Sequence, residues 1–192
     1  INYDNRLFLG ATLGFAIYNY TLNTRYEENV PLTSGTTQLT DFRYNSELNI
    51  SGSNTRLRLG AIYRANDFLR MGLAYHFSHT TRTEDRFEYA MDSRFDNGDT
   101  WESASLPGDW SYTMRNPGRV IASLGITLKK TAAFALEYEY SDFSKVRFNQ
   151  PDGLYDYASE NTDISNELRA THNVRAGAEY RLGMLTFRGG VR

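Results

Sequence analysis

A chain of 192 residues with 40% apolar residues, 23% charged residues and a net charge of −2 has the size of one ordinary domain without the composition of a soluble core. Its mean hydropathy of −0.56, with no apolar run near the roughly 20 residues of a spanning helix, excludes a helical membrane protein but not a barrel, where only alternate strand residues meet lipid. Without Cys there are no disulfides, thiolate ligands or cysteine nucleophile, and 21 basic against 23 acidic residues build no field for nucleic acid.

Ile1-Asn2-Tyr3-Asp4 has neither the basic start nor the apolar run of a signal peptide, so a leader is read as removed or the chain as starting inside a longer protein. The first strand alternates Leu7, Leu9, Ala11, Leu13, Phe15 and Ile17 with small or polar residues and is expected to run beyond Tyr20. A second carries Phe42, Tyr44, Leu48 and Ile50 in phase. At Ser51, Gly52, Ser53 and Asn54 it is interrupted, which predicts a bulge or kink in one long strand rather than a turn.

Three hairpins follow. Leu57, Leu59, Ala61 and Tyr63 return through Arg64–Asp67 to Leu69, Met71, Leu73 and Tyr75, with Tyr63 expected opposite Leu69 and Ala61 opposite Met71. Val120, Ala122, Leu124, Ile126 and Leu128 turn at 129–132 into Phe134, Leu136, Tyr138 and Tyr140. Val174, Ala176, Ala178, Tyr180 and Leu182 meet Leu185, Phe187, Gly189 and Val191 across Gly183-Met184, which sets Glu179 beside Arg188. Each register makes one face apolar and the other polar.

The connections alternate in length: short near 65–67, 129–132 and 183–184, long and rich in Asp, Asn, Ser and Gly over 23–41, 83–117 and 147–169. Short periplasmic turns and long extracellular loops belong to membrane barrels. A lipid-facing Arg or Lys at mid-membrane costs roughly 2–4 kcal/mol, and in the three hairpins the charges fall on the polar face. The expected fold is therefore all-β: an antiparallel transmembrane β-barrel of the bacterial outer-membrane type, here a partial barrel of about seven to eight strands. Tyr63, Phe77, Phe134, Tyr140, Tyr180 and Phe187 lie toward strand ends, as interfacial girdles do.

The order of elements resembles the FadL-like outer-membrane transporters of long-chain fatty acids and other hydrophobic compounds. Ser51-Gly52, Leu59-Gly60-Ala61-Ile62-Tyr63-Arg64, Arg70-Met71-Gly72-Leu73-Ala74-Tyr75, Asn116-Pro117, Ala122-Ser123-Leu124-Gly125, Ala135-Leu136-Glu137-Tyr138, the run Val174–Tyr180 and Phe187-Arg188-Gly189-Gly190 carry the likeness. It spans most of residues 5–192. The family's N-terminal hatch has no counterpart and its barrels have roughly twice the strands counted here. Residues 1–192 are thus expected to be a single internal segment of a longer barrel, without the hatch and the terminal strands.

The resemblance implies passive transport of hydrophobic or amphipathic small molecules, with outer-membrane lipid and such a ligand as partners, no cofactor and no enzymatic chemistry. In the family, extracellular loops capture the ligand first. That role would fall to Phe87, Tyr89, Trp101, Leu106, Trp110 and Met114, for which packing of loop against loop stands as the alternative. The family also releases ligand through a wall opening at a strand kink, for which Ser51–Asn54 is the candidate beside an ordinary bulge. Arg58, Arg70, Glu137, Glu139, Arg175 and Glu179 are expected to face the lumen, either steering a solute or satisfying one another.

His76 and His79, three apart on one strand, are expected on opposite faces and make a poor metal pair, so no metal site is assigned. No Gly-x-Ser-x-Gly elbow or Ser tied to a His suggests a hydrolase. A structural barrel whose loops bind a partner protein remains open, as does a soluble β-sandwich.

Overall fold

In a computed structural model, residues 1–30, 38–129 and 131–192 are described. The strands are β1 (Asn2–Tyr3), β2 (Leu7–Asn29), β3 (Leu39–Arg64), β4 (Leu69–His76), β5 (His79–Phe95), β6 (Thr100–Ala104), β7 (Gly108–Asn116), β8 (Arg119–Leu128), β9 (Ala132–Asp142), β10 (Arg147–Asn149), β11 (Ala170–Leu182) and β12 (Leu185–Val191). One α-helix, α1 (Ala158–Glu167), and a 3-10 turn, Phe143–Lys145, complete the described elements. The strands form one antiparallel sheet in the order β10-β7-β5-β3-β4-β8-β9-β11-β12, with β2 also on β3, β1 on β2 and β6 on β5. Among the described residues no pairing closes the sheet on itself.

The chain divides into two compact units. The first comprises Ile1–Ala16, Asn54–Thr81 and Thr113–Arg192; the second comprises Ile17–Ser53 and Arg82–Tyr112. In the first unit, β8 pairs with β9 so that Val120, Ala122, Leu124, Ile126 and Leu128 face Tyr140, Tyr138, Leu136, Phe134 and Ala132. Between β11 and β12, Leu182 faces Leu185, Tyr180 faces Phe187 and Glu179 faces Arg188, and Gly183 holds the turn at φ 59°. The β11–β12 register matches the expectation, and β8–β9 keeps the expected faces, with Ala132 drawn from the expected turn into the ladder opposite Leu128. Between β3 and β4 the register differs by two residues: Tyr63 faces Met71 and Ala61 faces Leu73.

The cause of that shift is the turn. Asn66 Oδ1 accepts hydrogen bonds from Phe68 N at 3.0 Å and Leu69 N at 2.8 Å, Ala65 N donates to Leu69 O, and Arg64 pairs with Asp67 at 2.5 Å. An Asx turn therefore draws Phe68 into the loop. A slip of two leaves every side chain on its expected face, whereas a slip of one would have exchanged the faces.

The apolar face of this unit is open. Leu9, Leu13, Leu59, Leu73, Leu136, Val174 and Phe187 are all exposed, and among the described residues the only buried apolar side chain is Val146. Among the described residues no second sheet packs on that face, as a sandwich would require.

The regions read as loops over 23–41 and 83–117 are largely strand, because β2, β3, β5, β6 and β7 occupy them, although residues 31–37 lie outside the described part. Their polar residues alternate with apolar ones, and a ribbon wetted on one face has that composition without being a loop. Segment 147–169 holds β10 and α1. Asn161 ties the two together, accepting from Phe148 N at 2.8 Å and donating to Phe148 O at 2.9 Å.

Candidate functional site

In the second unit, apolar side chains share one face of the ribbon. Tyr18 lies over Gly52, where an added Cβ would meet its ring at 2.3 Å, and its hydroxyl shares a hydrogen bond of 2.7 Å with Thr83 Oγ1. Tyr26 meets Phe42 at 5.7 Å, Tyr44 stacks on Tyr89 at 6.1 Å and Phe87 meets Tyr89 at 5.8 Å. Gly108 leaves the space that the Phe87 ring fills. Tyr20, Leu22, Leu48, Ile50 and Met91 fall on the same face by strand alternation.

The opposite face is polar and internally paired. Thr21 Oγ1 donates to Asn49 at 2.7 Å. Glu27 holds Arg25 at 2.5 Å and Arg43 at 2.6 Å. Arg94 holds Asp41 at 2.9 Å, and Arg86 meets Asp109 at 3.4 Å. Hydrogen bonds from Arg25 and then Arg43 keep the Glu27 carboxyl below its ordinary range.

Of the six residues expected to capture ligand from loops, five lie in this unit, and only Leu106 lies in a connection. Phe87 and Tyr89 stand on β5, Trp101 on β6 opposite Ser93, and Trp110 on β7. Phe87 and Tyr89 are in contact on the aromatic face, and Trp101 shares that face through its register with Ser93. Met114, on β7 in the first unit, pairs instead with Phe148 of β10.

Ser51, Gly52, Ser53 and Asn54 sit inside the unbroken β3. Arg64 N donates to Arg6 O in the first unit and Val30 N to Thr40 O in the second, so β2 and β3 advance by equal numbers of residues between those pairs. No residue is inserted, and the expected bulge is absent from this pairing. Gly52 serves the close approach of Tyr18 instead.

The interruption lies elsewhere, at Phe77-Ser78 between β4 and β5. His76 faces Arg58 across β3, and Arg56 Nε donates to Asn54 Oδ1 at 2.8 Å on that same face. Thr81 accepts from Asn54 Nδ2 at 3.4 Å and from Asn116 Nδ2 at 3.2 Å, so it also lies on the charged face. Strict alternation would put His76 and Thr81 on opposite faces; the phase reverses between them, as at a bulge. His79, two residues before Thr81, therefore joins His76 on the face of Arg58, contrary to the expectation from spacing. Across the seam, Ser78 Oγ donates to Asn116 O at 2.7 Å, while Pro117 has no N–H to offer the ladder.

On the charged face of the first unit, Arg175 binds Glu137 and lies 3.3 Å from Glu139. Glu139, only 6% exposed, also holds Arg119 at 3.2 Å. Glu179 pairs with Arg188 at 2.7 Å and Arg181 at 3.4 Å. Four of the six expected polar residues thus belong to ion pairs, whereas Arg58 and Arg70 enter none among the described residues. Arg119 was not singled out from the sequence; its place opposite His76 and Ser141 depends on pairings between separate hairpins. His172 lies on the apolar face, its Nδ1 at 2.6 Å from the Tyr138 hydroxyl and its ring beside Tyr140.

Among the described residues no group of three metal-ligating side chains occurs. No protein-family model matches the chain, and no curated protein matches it.

Proposed function

We propose that the chain is part of the wall of a FadL-like outer-membrane β-barrel that lets hydrophobic or amphipathic small molecules cross passively. One observation carries this reading: the apolar residues change phase along the long strands. On β2 they are odd-numbered from Leu7 to Ile17 and even-numbered from Tyr18 to Tyr26; on β3 they are even-numbered from Phe42 to Ile50 and odd-numbered from Leu57 to Tyr63. A strand needs apolar residues on its outer side only where that side meets lipid.

Strand lengths support the same division. A tilted membrane strand needs about 9–11 residues, and β8 has 10 and β9 has 11, whereas β2 has 23 and β3 has 26. The first unit supplies the lipid-facing wall, with aromatic bands at Tyr63, Phe134, Tyr180 and Phe187 and at Tyr75, Phe77, Tyr138 and Tyr140. The second unit stands in water and offers the aromatic face to the solute as the first place of capture. The paired charges Glu137, Glu139 and Arg175 serve as a fixed polar lining.

Uptake by proteoliposomes of the full-length protein tests the reading. A hydrophobic fluorescent solute enters faster than into protein-free liposomes, and Tyr44→Ser with Tyr89→Ser slows entry several-fold. Equal entry with and without protein, across aromatic and alkyl solutes, overturns it.

A further inference from the structure

Away from the short turns, the apolar face of the first unit ends on aromatic side chains: Phe77 packs edge-on against Tyr75 at 4.7 Å, and Tyr140 faces Val120. Just past them on the same side stand cations. Asn116 lies on the charged face through its bond to Thr81, so Arg115, its neighbour on β7, points to the apolar side. There Arg115 Nε donates at 3.3 Å to the hydroxyl of Ser78, the residue after Phe77. On β9, two residues past Tyr140, Asp142 holds Lys145 at 3.4 Å.

Arg115 is met by a like charge. It pairs directly with Arg147 across β7 and β10, so the two exposed side chains share one face. The adjacent pair on that face, Thr113 and Asn149, is uncharged. Arg147 Nη1 donates to Ser144 O and Val146 O at 2.6 Å each, and among the described residues neither arginine enters an ion pair. Like charges directly opposite one another destabilise a sheet. An anion bound between them turns that repulsion into attraction, and each guanidinium keeps free N–H groups in the planar fork that matches phosphate oxygens.

We propose that Arg115 and Arg147, with Lys145 beside them, hold the phosphate of a lipid headgroup, whose acyl chains lie along the apolar face next to Phe77 and Tyr140. This rests on the lipid-facing reading given above and names the lipid chemistry that the rim of the wall selects. Position favours a lipid over a soluble phosphate. Headgroups sit at the level of aromatic girdles, and the exposed Leu136, Tyr138 and Val174 offer the chains an apolar surface on the same face.

The full-length protein is folded into vesicles of digalactosyldiacylglycerol, which has no phosphate, doped with equal amounts of dioleoyl phosphatidate and dioleoylglycerol. After extraction into detergent, the lipid that stays on the protein is counted by mass spectrometry. The two guests share their tails, so the ratio reads the phosphate alone. Charge-assisted hydrogen bonds from two arginines enrich phosphatidate about tenfold over dioleoylglycerol. Arg115→Gln with Arg147→Gln reduces the enrichment to within about threefold, and heat unfolds this variant no earlier than the wild type because a repulsion has been removed. Arg58→Gln, equally free of ion pairs but on the charged face, leaves the enrichment in place. Insertion without enrichment, an unchanged enrichment in the double variant, or loss of phosphatidate to an equal amount of glycerol 3-phosphate overturns the lipid phosphate site alone. Failure of the wild type to insert into the vesicles overturns the lipid-facing reading as well.

Discussion

At the scale of single residues, Gly52 and Gly108 show how a small residue makes room for an aromatic one across the sheet. A Cβ on either would lie 2.3 Å from the ring of Tyr18 or Phe87, a separation real side chains do not adopt. Gly52→Val must therefore displace Tyr18 and break its hydrogen bond to Thr83. Overpacking of this kind costs about 1–3 kcal/mol, and urea unfolding of the refolded variant should show a loss of that size. Gly10→Val, with nothing near its Cβ, serves as the tolerated control. The glycine at 52 was visible in the sequence as an oddity within a strand. That it answers Tyr18 was not, because the two lie far apart in the chain and meet only through strand pairing.

Among the elements, the β3–β4 turn decides a register. The alternation of Leu57–Tyr63 and Leu69–Tyr75 requires only that like faces meet, and two registers satisfy it. The Asn66 side chain selects between them by accepting from Phe68 N and Leu69 N. Asn66→Ala removes the acceptor of both bonds and should destabilise the hairpin by about 1–2 kcal/mol, with faster amide exchange at Phe68 and Leu69 than in the wild type. The seam at Phe77-Ser78 has a similar logic. A phase reversal is legible in sequence only when apolar residues mark the faces on both sides of it, and Ser78, His79 and Thr80 mark neither.

For the molecule as a whole, the central question is which solvent meets the apolar face of the first unit. Leu136 and Ala135 are neighbours on β9, both exposed, one on the apolar face and one on the charged face. In water, arginine at either position would change stability by less than about 0.5 kcal/mol. In lipid, Leu136→Arg costs roughly 2–4 kcal/mol and Ala135→Arg little. Folding yields of the two variants into bilayers, followed by protease protection, separate these outcomes. Equal yields would remove the lipid-facing assignment and with it the proposed route for hydrophobic solutes.

By itself the sequence determined the all-β character, the faces of three hairpins and the register of one of them, because alternation and tight turns are local properties. Leu185 lies just past the turn from Leu182, and Ala132 close behind Leu128, so pairing follows from chain proximity. Tertiary structure alone decided what depends on distant strands: the company of Arg119, Glu139 and Arg175, the place of His79 beside His76, and the gathering of Tyr18, Tyr44 and Phe87 on one face. The sequence suggested long loops because polar residues are common there. Pairing showed strands instead, in which those polar residues occupy one side and leave the other to the aromatics.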